Sequence, residues 1–288
     1  MSISVHTNKP ALIALQNLNK TNDDIGEVQN HINTGLKIAN ARDNAAVWSI
    51  AQNQRADIGA LNAVKMSLDR ANSIAEVSMT AGQTVSDLLV QLKEKVVAAM
   101  DTSIDTASRT ALDNEFKSII RQIGQVTDNA AFDGANLLNG LQHSGTPNIQ
   151  FLANASASSF ITLSVQDMTL VGGSATPPNP QIITMSIGSS LDSVTISSAV
   201  LVQLNESIGN VNQALGSLGS QAKQITAHSD FVGKLSDTLT TGVGNLVDAD
   251  LAKESAKLQA LQVQQQLGAQ ALSIANQAPQ MILQLFKG

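Results

Sequence analysis

Between Leu61 and Ala99 an apolar or small residue returns at alternating steps of three and four: Leu61, Val64, Leu68, Ala71, Ala75, Ser78, Gly82, Val85, Leu89, Leu92, Val96 and Ala99. That period is a coiled-coil seam, and only Ser78 and Gly82 depart from its apolar rule. At about 1.5 Å per residue the stretch predicts a rod of roughly 58 Å. Such a rod needs a partner of matching length. Leu201, Leu204, Ile208, Val211, Leu215, Leu218, Ala222 and Ile225 repeat the rhythm more than a hundred residues later. The chain is therefore expected to run out, turn and come back. Its core should be Leu61, Val64, Leu68, Val85, Leu89 and Leu92 packed against Leu204, Ile208, Val211, Leu215, Leu218 and Ile225.

The flanking stretches carry thinner stripes. Ser4 to Asn33 reads as an amphipathic helix with Ala11, Leu12, Leu15, Leu18, Ile25, Val28 and Ile32 on one face, interrupted by Thr21 and Asn22. Asn33-Thr34-Gly35 is a stop signal, since glycine adopts the left-handed conformation that ends a helix. Leu36 to Asn44 is a non-periodic connector, and helix is regained from Ala45. After Met100, Asp101-Thr102-Ser103 supplies turn and N-cap residues. A helix follows with Leu112, Phe116, Ile119, Ile123 and Val126 on one face, folding back antiparallel on the rod. Asn129 to Gly140 holds two turn signals, Asp133-Gly134 and Asn139-Gly140, with Phe132, Leu137 and Leu138 placed to plug a helix end. The return rod should run from Val200 to Leu239 and break at Gly242-Val243-Gly244. A last helix, Val247 to Phe286, then carries Leu251, Leu258, Leu261, Leu267, Leu272, Ile274, Met281, Ile282 and Leu285.

From Leu141 to Ser198 a period of two replaces the helical one: Ile149 and Phe151, then Ile161, Leu163 and Val165, then Ile183, Met185 and Ile187, then Val194 and Ile196. Alternation of this kind predicts short strands, and Pro177-Pro178-Asn179-Pro180 predicts an exposed loop tip. The expected fold is mainly α: an elongated antiparallel coiled-coil bundle built from the N- and C-terminal parts, with a small β-rich central lobe.

Composition narrows the function. Aromatic residues make up 2% of the chain, with no Tyr, which suits an aliphatic helix-on-helix seam. The net charge of -6 arises from interspersed charges of both signs, with no basic tract and no aromatic platform, so nucleic-acid binding is not expected. Cysteine is absent, excluding disulfides and thiolate metal sites. His6, His31, His143 and His228 are scattered without ligand spacing, so neither metal nor cofactor is expected. No P-loop, nucleophile elbow, H-E-x-x-H or Cys-His pairing supports an enzyme. No apolar run approaches the ~20 residues of a membrane span, and the first eighteen residues lack the pattern of a cleaved Sec-type leader. A pore-forming translocator would need an apolar hairpin that these residues do not supply.

Three separated segments, in order, resemble bacterial flagellin: HINTGLKIANARDNAAVWSIAQNQRADIGALN (His31 to Asn62), NAAFDGANLLNG (Asn129 to Gly140), and Val247 to Phe286, beginning VDADLAKESAKLQAL. The chain departs from the family at Val47-Trp48, where Gly-Leu is usual, and in its short middle region. Within Leu89 to Val97, Glu94 matches the surface that animal innate receptors read in some flagellins, whereas Gln91 and Lys95 do not. The resemblance implies a secreted, extracellular subunit of the flagellar filament, exported unfolded and polymerising with copies of itself. Residues 1–44 with 242–288 would form the filament core, 45–140 with 199–241 the rod, and 141–198 a surface lobe. Self-assembly would bury Leu12, Leu15, Leu18, Ile25, Val28, Ile32, Leu251, Leu258, Leu261, Leu267, Leu272, Ile282 and Leu285. The implied partners are other flagellin subunits, a distal cap, hook-filament junction proteins and an export chaperone. Ser and Thr between Ser156 and Ser198 are candidate O-glycosylation positions by the same resemblance. The alternative function is that of a hook-filament junction adaptor.

Overall fold

The computed structural model describes residues 8–140, 148–171 and 181–285, without the side chains of 278–285. His6, His143, the Pro177 to Pro180 loop tip, Phe286 and the side chains of Met281, Ile282 and Leu285 lie outside the described residues. Among the described residues five helices and four short strands follow one another in the order α1 (Lys9–Thr34), α2 (Ala45–Ala99), α3 (Thr106–Asn129), β1 (Ala131–Phe132), β2 (Ala135–Asn136), β3 (Asn148–Leu152), β4 (Phe160–Ser164), α4 (Val194–Val247) and α5 (Leu251–Leu285). The chain divides into two units, Met1–Ala56 with Thr238–Gly288, and Asp57–Asp237.

In the Asp57–Asp237 unit, α2 and α4 run antiparallel, as side-chain contacts between Asn72 and Thr226 and between Ser86 and Asn212 require. Leu61, Val64, Leu68, Val85, Leu89 and Leu92 of α2 are buried, as are Leu204, Val211, Leu218 and Ile225 of α4. Ile208 and Leu215 sit half-buried at the flank of the seam, where Ser207 and Ala214 are buried instead. The two exceptions to the apolar rule have distinct causes. Ser78 is buried and satisfies its hydroxyl by donating to the Ile74 carbonyl one turn back. Gly82 makes room for α4: a Cβ there would lie 2.7 Å from Leu215 Cδ2. α3 returns along α2 with Lys95 paired to Glu115, and the Arg109 guanidinium donates to the Ala99 and Asp101 carbonyls at the end of α2. Phe116, Ile120 and Ile123 carry its buried face.

Asp105, rather than the expected Asp101-Thr102-Ser103, caps α3 by accepting from the Ser108 amide. Asp101 folds the preceding turn instead, accepting from the Ser103 amide. Asp133 and Gly134 both adopt positive φ, 48° and 77°, the signature of a tight two-residue hairpin turn between β1 and β2. The α3 end is closed by Asn136, whose amide donates to the Thr127 and Asp128 carbonyls, with Leu137 and Leu138 fully buried beyond it. Phe132 is expected in that plug and is instead exposed, as is its β1 neighbour Ala131, while the paired β2 residues Ala135 and Asn136 are buried.

The period-two reading holds for β3 and β4, which pair antiparallel with Phe151, Ile161 and Leu163 buried. Side chains of the long helices fix the hairpin: Ser67 of α2 accepts from the Leu152 amide and Gln221 of α4 from the Ser164 amide. The reading fails further on. Around Ile183, Met185 and Ile187 the described residues form only an isolated bridge between Val171 and Ser186. The neighbouring amides are taken elsewhere: Ile182 donates to the Asp167 carbonyl and Thr184 to the Ser207 hydroxyl. Val194 and Ile196, expected in a strand, begin α4, because Ser193 accepts from the Ile196 amide as an N-cap and Ser197, Val200 and Leu204 open a buried helical stripe. The return helix also runs unbroken through Gly242-Val243-Gly244 to Val247. Its end is set by competition for hydrogen bonds: the Val247 carbonyl accepts from the Lys37 and Ile38 amides, and Asp250 starts α5 by accepting from the Ala252 and Lys253 amides.

Candidate functional site

The unit made of Met1–Ala56 and Thr238–Gly288 is held at one place by the connector after α1. Gly35 ends α1 in the left-handed conformation at φ 70° and donates to the His31 carbonyl. The Gly35 carbonyl then accepts from the Ala249 amide, and Leu36 bridges to Asp248. Asp43 closes the connector: the Asn40 and Ala39 amides donate to its carboxylate and hold its pKa below the usual carboxylate value. Asn44 caps α2 by accepting from the Val47 amide.

From this junction α1 and α5 pack antiparallel. Their pairing is marked by Asn8 donating to the Ala275 carbonyl at 2.8 Å, Gln265 donating to Asn22 at 2.7 Å, and His31 Nδ1 3.6 Å from Glu254. The seam is shallow. Val28 and Leu261 are the buried members of the expected assembly set, while Leu18, Ile25, Ile32, Leu258 and Leu272 are half-buried. Thr21, which interrupts the α1 stripe, is buried and donates its hydroxyl to the Asn17 carbonyl.

Other members face water. Leu12, Leu15, Leu251 and Leu267 are 53, 43, 49 and 58% exposed. Sequence reasoning left Ile13 and Val263 out, and both are exposed here too, together with Ile274. The signal for them was present: an α5 with Leu258, Leu261 and Leu272 on one side and Val263, Leu267 and Ile274 on another is apolar on more faces than α1 can cover. The helix pair thus leaves several large aliphatic side chains in water.

No group of three or more His, Asp or Glu that could hold a metal occurs among the described residues, and none of their helices is long and apolar enough to cross a membrane. His31 lies on the α1–α5 seam, and His228 sits 2.7 Å from the Ala153 carbonyl and beside Phe231.

Residues 5–143 match the model of the bacterial flagellin N-terminal helical region and residues 197–286 that of the C-terminal helical region. Over 290 residues the chain is 51% identical to flagellin FljJ of Caulobacter vibrioides, covering all of both chains. It is 37% identical to a flagellin of Brucella melitensis, covering 99% of each. A solved chain from Vibrio parahaemolyticus, proposed to be a flagellar hook-associated protein, is 14% identical with a TM-score of 0.53, covering 72% of this chain and all of that one, a likeness of fold alone. With both helical regions matched in order around a short middle segment, this chain belongs to the bacterial flagellin family and is a structural subunit of the extracellular flagellar filament.

Proposed function

We propose that the subunit polymerises by burying the apolar faces that α1 and α5 leave in water. The observation that carries this reading is the exposure of Leu12, Leu15, Leu251 and Leu267 on a helix pair whose own seam buries little. Each aliphatic side chain removed from water contributes roughly 1.5–3 kcal/mol, while ordering the backbone costs about 1–2 kcal/mol per residue. The terminal helices therefore become stable when several neighbours cover them together, and growth is cooperative. A head-to-tail contact that does not close gives an open helical filament. On this reading residues 1–44 with 242–288 form the filament core, 45–140 with 199–241 the rod around it, and 141–198 a lobe facing water.

The same reading has the chain exported unfolded, with no catalytic activity, no cofactor, no nucleic-acid partner and no membrane insertion. A distal cap and hook-filament junction proteins would meet the ends of the polymer. An export chaperone would shield α5 before assembly. Seeded growth tests the proposal: purified subunit added to filament fragments elongates them without limit, whereas an adaptor of the hook-filament junction stops after a ring. Removing Gln280 to Gly288 should leave the helices of the Asp57–Asp237 unit intact by circular dichroism and abolish elongation. Normal growth of that truncation would reject a role for the end of α5.

A further inference from the structure

One face of α4 carries polar side chains at alternating steps of three and four: Ser207, Asn210, Ser217 and Gln221, with Ala214 in the middle of the row and Gln213 beside it. Three of them hold main-chain groups that pass over the helix. Ser207 accepts from the Thr184 amide, Asn210 donates to the Ile182 carbonyl, and Gln221 accepts from the Ser164 amide. Asn210 and Gln221 are separated by about 16 Å of helix. Between them lies a cleft of about 390 Å³, lined by Gln213, Ala214 and Ser217 of the helix and by Gln166, Gln181 and Ile182 of the segments that follow β4. Its volume is that of a site for a small molecule, about 300–1,000 Å³.

The lining selects the chemistry of an occupant. Every polar side chain in it is an amide or a hydroxyl, and none is charged. An ion would lose its water there without a counter-charge, and an apolar molecule would leave the amides unpaired. Two of the amides are held by their nitrogens: Asn210 Nδ2 by the Ile182 carbonyl, and Gln181 Nε2 by Thr169 Oγ1 and the Leu170 carbonyl. Their oxygens are thereby left as acceptors. Among the described residues the side-chain amides of Gln166 and Gln213 make no hydrogen bond, so both can donate as well as accept. Hydroxyl groups, each a donor and an acceptor, match this set, and Ile182 with Ala214 offers an apolar floor to the C–H face of a sugar ring.

We propose that this cleft binds a neutral monosaccharide. It lies within the Asp57–Asp237 unit and is independent of how the terminal helices assemble. Saturation-transfer NMR on the full chain tests the assignment, with D-glucose, D-galactose and D-mannose as probes and N-acetylglycinamide, a neutral peptide mimic, as comparator. At least one of the sugars should bind and saturate in the millimolar range, since no aromatic ring lines the cleft. Gln166→Leu/Gln213→Leu should keep the fold and weaken sugar binding about 25-fold, about fivefold for each hydrogen bond lost. Each single variant should lose about fivefold, which keeps the test readable if the pair destabilises the chain. Gln91→Leu, on the exposed surface of α2, should leave binding unchanged. Absence of transfer to all of the sugars would overturn the proposal, as would sugar binding of undiminished strength in folded Gln166→Leu and Gln213→Leu chains. Binding of N-acetylglycinamide as tight as that of the best sugar would also overturn it, giving the cleft to main-chain amides of the kind that Ser207, Asn210 and Gln221 already hold.

Discussion

Replacing Leu12, Leu15, Leu251 and Leu267 together by glutamine removes four leucines from water-facing positions while keeping good helix formers in place. Their exposures of 53, 43, 49 and 58% mean that about half of each side chain remains to be buried by a neighbour. Full burial of a leucine is worth roughly 1.5–3 kcal/mol, so each has about 0.8–1.5 kcal/mol still to contribute, and the four together about 3–6 kcal/mol per subunit. At about 1.4 kcal/mol per factor of ten, the concentration of free subunit in equilibrium with filaments should rise by roughly 10²- to 10⁴-fold. The assay is seeded elongation followed by pelleting, with the supernatant concentration measured at plateau. Because the changes lie on the surface of the isolated chain, its thermal unfolding should shift little. A plateau concentration within about threefold of the unmodified protein, where roughly 100-fold or more is expected, would refute the burial argument.

Three further outcomes follow from the fold. Asp113→Ala leaves the buried Leu191 amide without its acceptor, now 2.8 Å away, and should cost about 1–3 kcal/mol in urea unfolding, with Asp113→Asn recovering part of it. Gly140→Ala combines a φ of 63° with a Cβ placed 2.5 Å from Asp167 Oδ2, and should destabilise by about 2–4 kcal/mol, seen as a lower melting temperature. The carboxylates of Asp43, Asp101 and Asp105 are each held below their usual pKa by hydrogen bonds, from the Asn40 and Ala39 amides, from Ser103 and from Ser108 respectively. A lowered folded pKa means that their stabilisation is fully present above the unfolded value of about 4 and lost as pH falls through the lower folded one. Melting temperature should therefore decline below about pH 4, and less steeply when all three are replaced by asparagine; parallel curves would contradict this.

Much of the architecture was legible because its causes are local. The three-four rhythm of α2 and α4, the left-handed stop at Gly35, the Asp133-Gly134 hairpin turn and the alternation in β3 and β4 each depend on residues a few positions apart. Leu61, Leu68, Leu89, Leu204, Val211 and Leu218 could be placed in a core from spacing alone. The residues proposed for assembly were legible as apolar stripes, but not divided into those that α1 and α5 cover for each other and those left in water. That division depends on how the two helices meet, as Val28 at 0% and Leu267 at 58% exposure illustrate.

Where local preference met a distant partner, the partner decided. Gly242 and Gly244 have weak helical preference, yet α4 continues to Val247, where amides of the α1–α2 connector take its last carbonyl. Ile183, Met185 and Ile187 alternate as a strand should, yet Ser207 and Asp167 accept the amides that a neighbouring strand would have used. Gly82 breaks the seam because Leu215 lies against it. The sequence by itself determined period, caps and turns, since these are settled between neighbours along the chain. Tertiary structure alone decided which backbone groups were already satisfied and which apolar faces remained uncovered, because both depend on residues beyond the reach of one helical turn or one strand pair, from 15 to more than 200 positions apart.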